Sequence, residues 1–541
     1  MLGIKLENLR GDLFGGLTAG VVALPLALAF GEASGAGPIA GLYGAIIVGF
    51  FAALFGGTGS QISGPTGPMI VVFAGVFSAL NGNPSLVFAT VVLAGAIQVA
   101  FGVFRLGQYI KLVPYPVVSG FMTGIGCIII ALQTSRLFGH EPEGSGTIPA
   151  LTAIPSAVLD PNWVALGLGI LTLFIVFNWP GKLAKIVPPP LAALIIGTVL
   201  SVFISGAPIL GDIPTGLPSL LIPEFSSETI LIVLEAAFVL ALLGSLDSLL
   251  TSLVADNMTR TKHNSNKELI GQGIGNVFAG FFGGIPGAGA TMRTVVNIRT
   301  GGQTKISGMV HSSLLFAIVV SLGPLAAQIP HSVLAGILVK VGYDIVDLSY
   351  LKRAHKGPRW DLALMILVLT LTVFVDLITA VIAGVVLASL AFVKQMADLQ
   401  LAKVTSQTSS SGSVLPDEEK EILGEVSDRV TLFDFNGPLS FGAAADLGHH
   451  VRESTKDSSA LVIDFSQVPF LDVSAARAVA TISEDAARSN KKVFISGMNA
   501  DVTEVILGLQ EGSVSLEMFF ETRRAALEAT RDFILANQGK T

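Results

Sequence analysis

Ser63-Gly-Pro-Thr-Gly-Pro-Met69 and Pro286-Gly-Ala-Gly-Ala-Thr-Met292 break a long hydrophobic chain in the same way, and their reading decides the fold. Proline and glycine keep a continuous helix from passing through either stretch, so the helix that follows must begin inside the apolar part of the chain. The first N–H groups of such a helix have no intrahelical partner. An anion satisfies them, and the helix dipole favours it. Thr66 and Thr291 stand at these two ends and add hydroxyl groups. One break alone would say little, because Gly and Pro are common in membrane helices and a threonine hydroxyl can bond its own backbone. Each break, however, opens a short apolar segment, the third and the tenth of the chain. In a chain of two seven-helix repeats these positions correspond. Paired, interrupted short segments are the best sequence indicator of a transporter site near the bilayer midplane.

The composition around the breaks demands a membrane. Of 541 residues, 51% are hydrophobic and 13% charged, whereas charged residues make up roughly a quarter of an ordinary soluble protein. Apolar segments recur at 12–30, 38–56, 66–80, 85–104, 115–135, 162–179, 190–206, 228–252, 268–282, 291–299, 305–326, 331–346, 361–375 and 378–396, about fourteen in all. Met1 to Asp12 is charged and no convincing small-residue cleavage site follows, so Leu13 to Phe30 is expected to be a retained first helix. Alternate connections are basic: Arg105 and Lys111; Lys182 and Lys185; Arg260, Lys262 and Lys267; Arg299 and Lys305; Lys352, Arg353, Lys356 and Arg359. Those between hold Glu141, Glu143, Asp160, Asp212, Glu224 and Glu228, with Arg136 the chief basic exception. Cytoplasmic loops retain positive charge, so both termini are expected in the cytoplasm, with an even number of spans across the plasma membrane. Cys127 has no partner, which excludes a disulfide, and is expected to be a small core residue.

The acidic excess, net charge −7, is concentrated at the C-terminal end: residues 425–541 hold 28 charged side chains and the first 424 only 43. The expected division is a transmembrane domain at 1–398, a linker at 399–424 and a cytoplasmic domain at 425–541. In the last, 429–435, 460–465 and 492–496 read as strands and 475–488 as a helix, an α/β layer pattern. His449-His450 reads as a solvated pair, since no histidine here has metal-ligand spacing.

Asp247 lies deep in Leu240-Ala-Leu-Leu-Gly-Ser-Leu-Asp-Ser-Leu-Leu-Thr251. A carboxylate there is costly unless paired and signals function. Thr251 shares its helix face. The two offer oxygens suited to a hard cation such as sodium, with backbone carbonyls near Gly289 and Ala290 to complete the shell. A proton-coupled carboxylate and a structural hydrogen bond are the alternatives. Arg293 would either raise the potential at the anion seat or snorkel to the cytoplasmic face. Glu235 and Lys340 are further intramembrane charges without an assigned role, while Asp376 and Glu32 are expected near the outer surface. No Walker-type Gly-Lys-Ser/Thr loop and no nucleophile–base constellation occurs, so neither an ATP motor nor an enzyme is expected, and nothing points to a nucleic-acid partner.

The run Asp256-Asn-Met-Thr-Arg-Thr-Lys-His-Asn-Ser-Asn-Lys-Glu-Leu-Ile-Gly-Gln-Gly-Ile-Gly-Asn276, with Phe282-Gly-Gly-Ile-Pro286, Arg293-Thr-Val-Val-Asn297 and Gly301-Gly302, resembles the SulP sulfate-permease family. Gly11-Asp-Leu-Phe-Gly-Gly16 and Ala23-Leu-Pro-Leu-Ala-Leu-Ala-Phe30 agree, so the resemblance covers nearly the whole chain. It implies fourteen spans in a seven-plus-seven inverted repeat, a core domain moving against a gate domain, and a C-terminal STAS domain that supports a homodimer. Ser245-Leu-Asp-Ser-Leu-Leu-Thr251 and Gly287-Ala-Gly-Ala-Thr-Met292 look most like the family's sodium-dependent bicarbonate carriers; many other relatives have Glu at the position of Asp247. The resemblance then implies sodium at Asp247, Thr251, Gly289 and Thr291. It puts bicarbonate at Thr66, Ala290 and Thr291, with Gly64 and Arg293 completing the seat. Arg293 is similar to the wider family instead, which leaves sulfate, dicarboxylate or chloride open. Ile463 to Ser474 looks like the strand-to-helix segment of STAS domains. Ser474 falls at their phosphorylated position but lacks the usual neighbours, and reads equally as a helix cap.

Overall fold

The computed structural model describes residues 8–541 except 111–113, 142–146, 185–186, 212–217, 223–228, 376, 403, 408–414, 427–428, 456–457, 509–517 and 538–541. Lys111, Glu143, Lys185, Asp212, Glu224, Glu228 and Asp376 thus lie outside the described residues, as do the side chains of Lys182, His449 and His450. The chain divides into two compact units, Met1–Val386 and Leu387–Thr541.

The first unit is helical: α1 (Leu9–Ala33), α2 (Pro38–Phe55), α3 (Gly67–Ala79), α4 (Pro84–Val103), α5 (Gly107–Ile110), α6 (Tyr115–Leu137), α7 (Thr147–Leu159), α8 (Trp163–Asn178), α9 (Gly181–Ala184), α10 (Pro189–Phe203), α11 (Ile230–Thr259), α12 (Ser265–Phe281), α13 (Thr291–Arg299), α14 (Lys305–Ala326), α15 (His331–Ile345), α16 (Leu348–Leu351) and α17 (Arg359–Phe374). α18 (Leu377–Leu401) continues into the second unit. Two two-residue strands, β1 (Ser63–Gly64) and β2 (Ala288–Gly289), precede α3 and α13. Trp163, Phe203, Leu231 and Val320 are large, apolar and exposed, the inverse of a soluble surface. Among the described residues six helices are long and apolar enough to cross a membrane; α7 and α8 form a further pair, bent by 114°. α7 occupies a stretch expected to be a loop, because its 13 residues fall short of a span. Cys127, expected in the core, is exposed on α6.

Packing sorts these helices into two bundles. α1–α4 pack with α11–α14, while α6 packs against α7, α15 and α17, and α8 against α10 and α15. The bundles meet where α1 touches α10 and α15 and where α3 touches α6 and α15. Glycine permits the closest of these contacts. A Cβ on Gly95 of α4 would lie 2.5 Å from Gly273 O on α12, and one on Gly273 would lie 2.5 Å from Gly95 O. Small residues bring helix backbones together in this way where lipid gives no hydrophobic drive.

In the second unit β3 (Thr405–Gln407), β4 (Val430–Asn436), β5 (Ala460–Gln467), β6 (Lys492–Ser496) and β7 (Phe519–Phe520) form one sheet in that order, parallel except for β3. α19 (Asp417–Glu425), α20 (Phe441–Ser454), α21 (Val473–Arg488), α22 (Ala500–Gly508) and α23 (Arg523–Asn537) complete it. β3 and part of α19 come from the stretch expected to be linker. Asp472, not Ser474, caps α21: its carboxylate accepts from Ala475 N at 2.8 Å and from Phe441 N at 2.7 Å. Arg523 holds Glu419, Asp434 and Asp464 at 2.8, 3.2 and 3.4 Å.

Candidate anion and cation site

The two sequence breaks pair with each other. β1 and β2 run antiparallel, with Ser63 opposite Gly289 and Gly64 opposite Ala288. Ala290 N also donates to Ile62 O at 2.8 Å, and Ile62 N to Thr294 Oγ1 at 3.0 Å. α3 and α13 start directly from this clasp. Their N-caps, Thr66 and Ala290, are extended and neither caps its helix with a side chain. The N–H groups of Gly67, Met69, Thr291, Met292 and Arg293 make no hydrogen bond to another described residue. Pro68 has no N–H to satisfy. Two open helix N-termini therefore share one frame, the arrangement that binds anions. Across from α3, a Cβ on Gly67 would lie 2.7 Å from Ile345 Cδ1 and 2.9 Å from Ile129 Cδ1, so the other bundle covers this end with apolar side chains.

α11 passes alongside and adds oxygen. Thr251 Oγ1 lies 3.0 Å from Gly289 O and 2.7 Å from Thr291 Oγ1, and Ser248 Oγ accepts from Gly289 N at 3.0 Å. Asp247, one turn earlier on the same face of α11, takes a different partner: Thr66 Oγ1 donates to Asp247 Oδ2 at 2.9 Å. Of the four residues expected at the cation, Thr251 thus touches Gly289 and Thr291, while Asp247 bonds to Thr66 in the first break. Gly289 lets α11 and Gln61 close in, because a Cβ would lie 2.1 Å from Gln61 Nε2 and 3.0 Å from Ser248 Cα. The donor set is carboxylate, hydroxyl and carbonyl oxygen, the ligand type of a hard cation. Thr66 is buried, Asp247 half-buried and Thr291 exposed.

Arg293 does not snorkel. It is 2% exposed, and its Nη2 donates to Pro65 O at 2.6 Å. A Cβ on Gly64 would lie 2.8 Å from Arg293 Nη1, so the guanidinium lies flat against β1. No described carboxylate comes within ion-pair distance, which leaves a fixed positive charge behind the seat. The other deep charges lie elsewhere: Lys340 pairs with Asp344, Glu235 is exposed on α11, and Glu32 lies 3.0 Å from His331 Nδ1.

A buried polar shell that sequence reading missed holds the clasp in place. Glu268, 1% exposed, accepts from Gly57 N and Thr58 N at 2.8 Å, from Gln272 Nε2 at 2.8 Å and from Gln61 Nε2 at 3.0 Å. Gln272 Nε2 also donates to Ser63 Oγ at 2.6 Å, and Ser252 Oγ to Gln61 Oε1 at 2.9 Å. Asn276 brackets Gly287 with bonds to its N and O at 2.8 and 2.9 Å. A signal was available: Glu268, Gln272 and Asn276 recur every fourth residue and so share one face of α12.

The likeness to known proteins agrees with this geometry. Residues 9–368 match the sulfate permease family and residues 421–531 the STAS domain. The chain is 46% identical over 510 residues to the bicarbonate transporter BicA of Picosynechococcus, covering 91% of this chain and 89% of that one. It is 32% identical over 518 residues to the putative sulfate transporter YvdB of Bacillus subtilis, covering 93% and 94%. Among solved structures, the transmembrane domain of a cyanobacterial BicA aligns with a TM-score of 0.66 at 49% identity, over 70% of this chain and 98% of that one. SLC26A9 shares the fold, with a TM-score of 0.85 at 19% identity over 99% of this chain and 92% of that one. A pair of half-helices with open N-termini, built on this sequence, makes the chain a multi-pass membrane transporter of the sulfate permease family with a C-terminal STAS domain.

Proposed function

We propose that the protein takes up bicarbonate with sodium across the plasma membrane by alternating access, and that it is not an enzyme. The observation that carries this is the Thr66–Asp247 hydrogen bond, which joins the open end of α3 to α11, the helix whose Thr251 meets Gly289 and Thr291. A cation at Asp247, Thr251, Gly289 and Thr291 would offset the charge of an anion at Thr66, Ala290 and Thr291, so each favours the other's binding. The identity to BicA proteins over most of the chain supports bicarbonate as the anion. Counting α1–α4, α6, α8, α10–α15, α17 and α18 as spans gives fourteen, in which α3 and α13 are the third and tenth, as a seven-plus-seven inverted repeat requires. The two bundles supply a core carrying both breaks and a gate facing it. Both termini and the STAS domain lie in the cytoplasm on the basic-loop rule, and the STAS domain supports a homodimer.

Arg293 favours a second reading, a sulfate or dicarboxylate carrier, since a buried guanidinium without a carboxylate suits a more highly charged anion; a chloride carrier, and coupling to protons in place of sodium, are further alternatives. An anion channel is the remaining alternative. Labelled bicarbonate uptake by purified protein in liposomes, challenged with unlabelled sulfate, dicarboxylate and chloride, separates the carrier readings, and single-channel currents would mark a channel. Self-competition by bicarbonate alone supports the proposal; displacement by sulfate at equal concentration overturns it.

A further inference from the structure

A cavity of about 570 Å³ lies between the two bundles on the side that carries Glu141. Ser34 and Ser78 line it from one bundle, and Gln133, Arg136 and Thr147 from the other. A neck lined by Ala33, Val71, Leu132 and Gln133, all shared with the cavity, reaches Gly67 at the start of α3. Among the described residues that line the cavity, Arg136 is the one cation and Glu141 the one carboxylate. The Arg136 side chain makes no hydrogen bond or ion pair with another described residue, and its Nε is buried and unpartnered. Glu141 meets Glu32 and His331 at the rim, where their ligand atoms all lie within 4.8 Å of one another.

We propose that this cavity captures the anion before it reaches the seat, with Arg136 and Glu141 together selecting a monovalent oxyanion that bears a hydroxyl. The proposal rests on the bicarbonate reading above and on the orientation that puts this face outside. A guanidinium pairs with the charged oxygens through its fixed fork of N–H groups. A carboxylate accepts the hydroxyl proton and repels a dianion that has none to give. Sulfate loses on both counts: it has no donor for Glu141, and its second charge meets an acidic rim. The neck then leads the captured ion to Gly67, the first open N–H of α3.

Uptake of labelled bicarbonate into proteoliposomes, measured against bicarbonate concentration and with sulfate as competitor, tests this. Arg136→Gln should raise half-saturation roughly tenfold with the maximal rate kept, and Arg136→Lys should raise it less. Ser78→Glu, which adds a carboxylate at an exposed lining position without touching Arg136, should raise it as well. Glu141→Gln should make sulfate an effective competitor. Unchanged half-saturation in both Arg136→Gln and Ser78→Glu overturns the capture site while leaving bicarbonate transport standing. If Arg136→Gln fails to fold, Ser78→Glu decides alone. A wild-type protein that takes up no bicarbonate overturns the functional reading and this inference with it.

Discussion

Asp247 and Thr251 sit four residues apart on α11, yet they meet the site through different partners, Thr66 in one break and Gly289 with Thr291 in the other. Their substitutions should therefore differ in kind. Asp247→Asn removes the charge that attracts the cation and is expected to abolish sodium dependence, leaving at most a small sodium-independent uptake. Thr251→Val keeps the shape and removes one oxygen, so the half-saturating sodium concentration should rise roughly fivefold with bicarbonate half-saturation little changed. Initial rates of uptake at varied sodium check both. Asp247 was legible in the sequence because a carboxylate in an apolar run stands out. The role of Thr66 as its hydrogen-bond partner was not, since 181 residues separate the two and only the folded clasp brings them together.

α12 shows what an element contributes beyond its span. One face carries Glu268, Gln272 and Asn276, which pin the segments before β1 and β2, and another carries the glycines that meet α4. Glu268→Ala would remove the acceptor shared by Gly57 N, Thr58 N and the Gln61 and Gln272 amides, and is expected to cost about 3 kcal/mol of stability, seen as a fall of several degrees in the unfolding temperature of the detergent-solubilised protein. Gly273→Val drives a side chain into the Gly95 carbonyl and should sharply reduce the yield of folded protein in the membrane. Size-exclusion chromatography after extraction measures it, and a normal monodisperse yield would contradict the close approach. The helices and strands themselves were largely readable: the stretches read as strands at 460–465 and 492–496 fall on β5 and β6. What escaped were α7, too short to register as a span, and the ordered parts of the linker, whose strand β3 forms by pairing with the distant β4.

On the scale of the molecule, the site depends on two bundles that meet along few helices, α1 and α3 from one and α6, α10 and α15 from the other. Both half-helix ends belong to one bundle, and the apolar side chains of Ile129 and Ile345 that cover the start of α3 belong to the other. Relative movement of the bundles would uncover the seat, which is how a fixed site can face each side of a membrane in turn. Composition made the membrane spans and the C-terminal α/β domain legible, and the matching breaks pointed to the segments that pair as β1 and β2. The anion was not, because open N–H groups accept any small anion and Arg293 adds charge without shape. The central claim is that sodium and bicarbonate share this seat and move together. Bicarbonate uptake into proteoliposomes with and without an inward sodium gradient tests it most directly: uptake should rise with the gradient and collapse when the gradient is dissipated, whereas equal uptake in the two conditions would contradict the account.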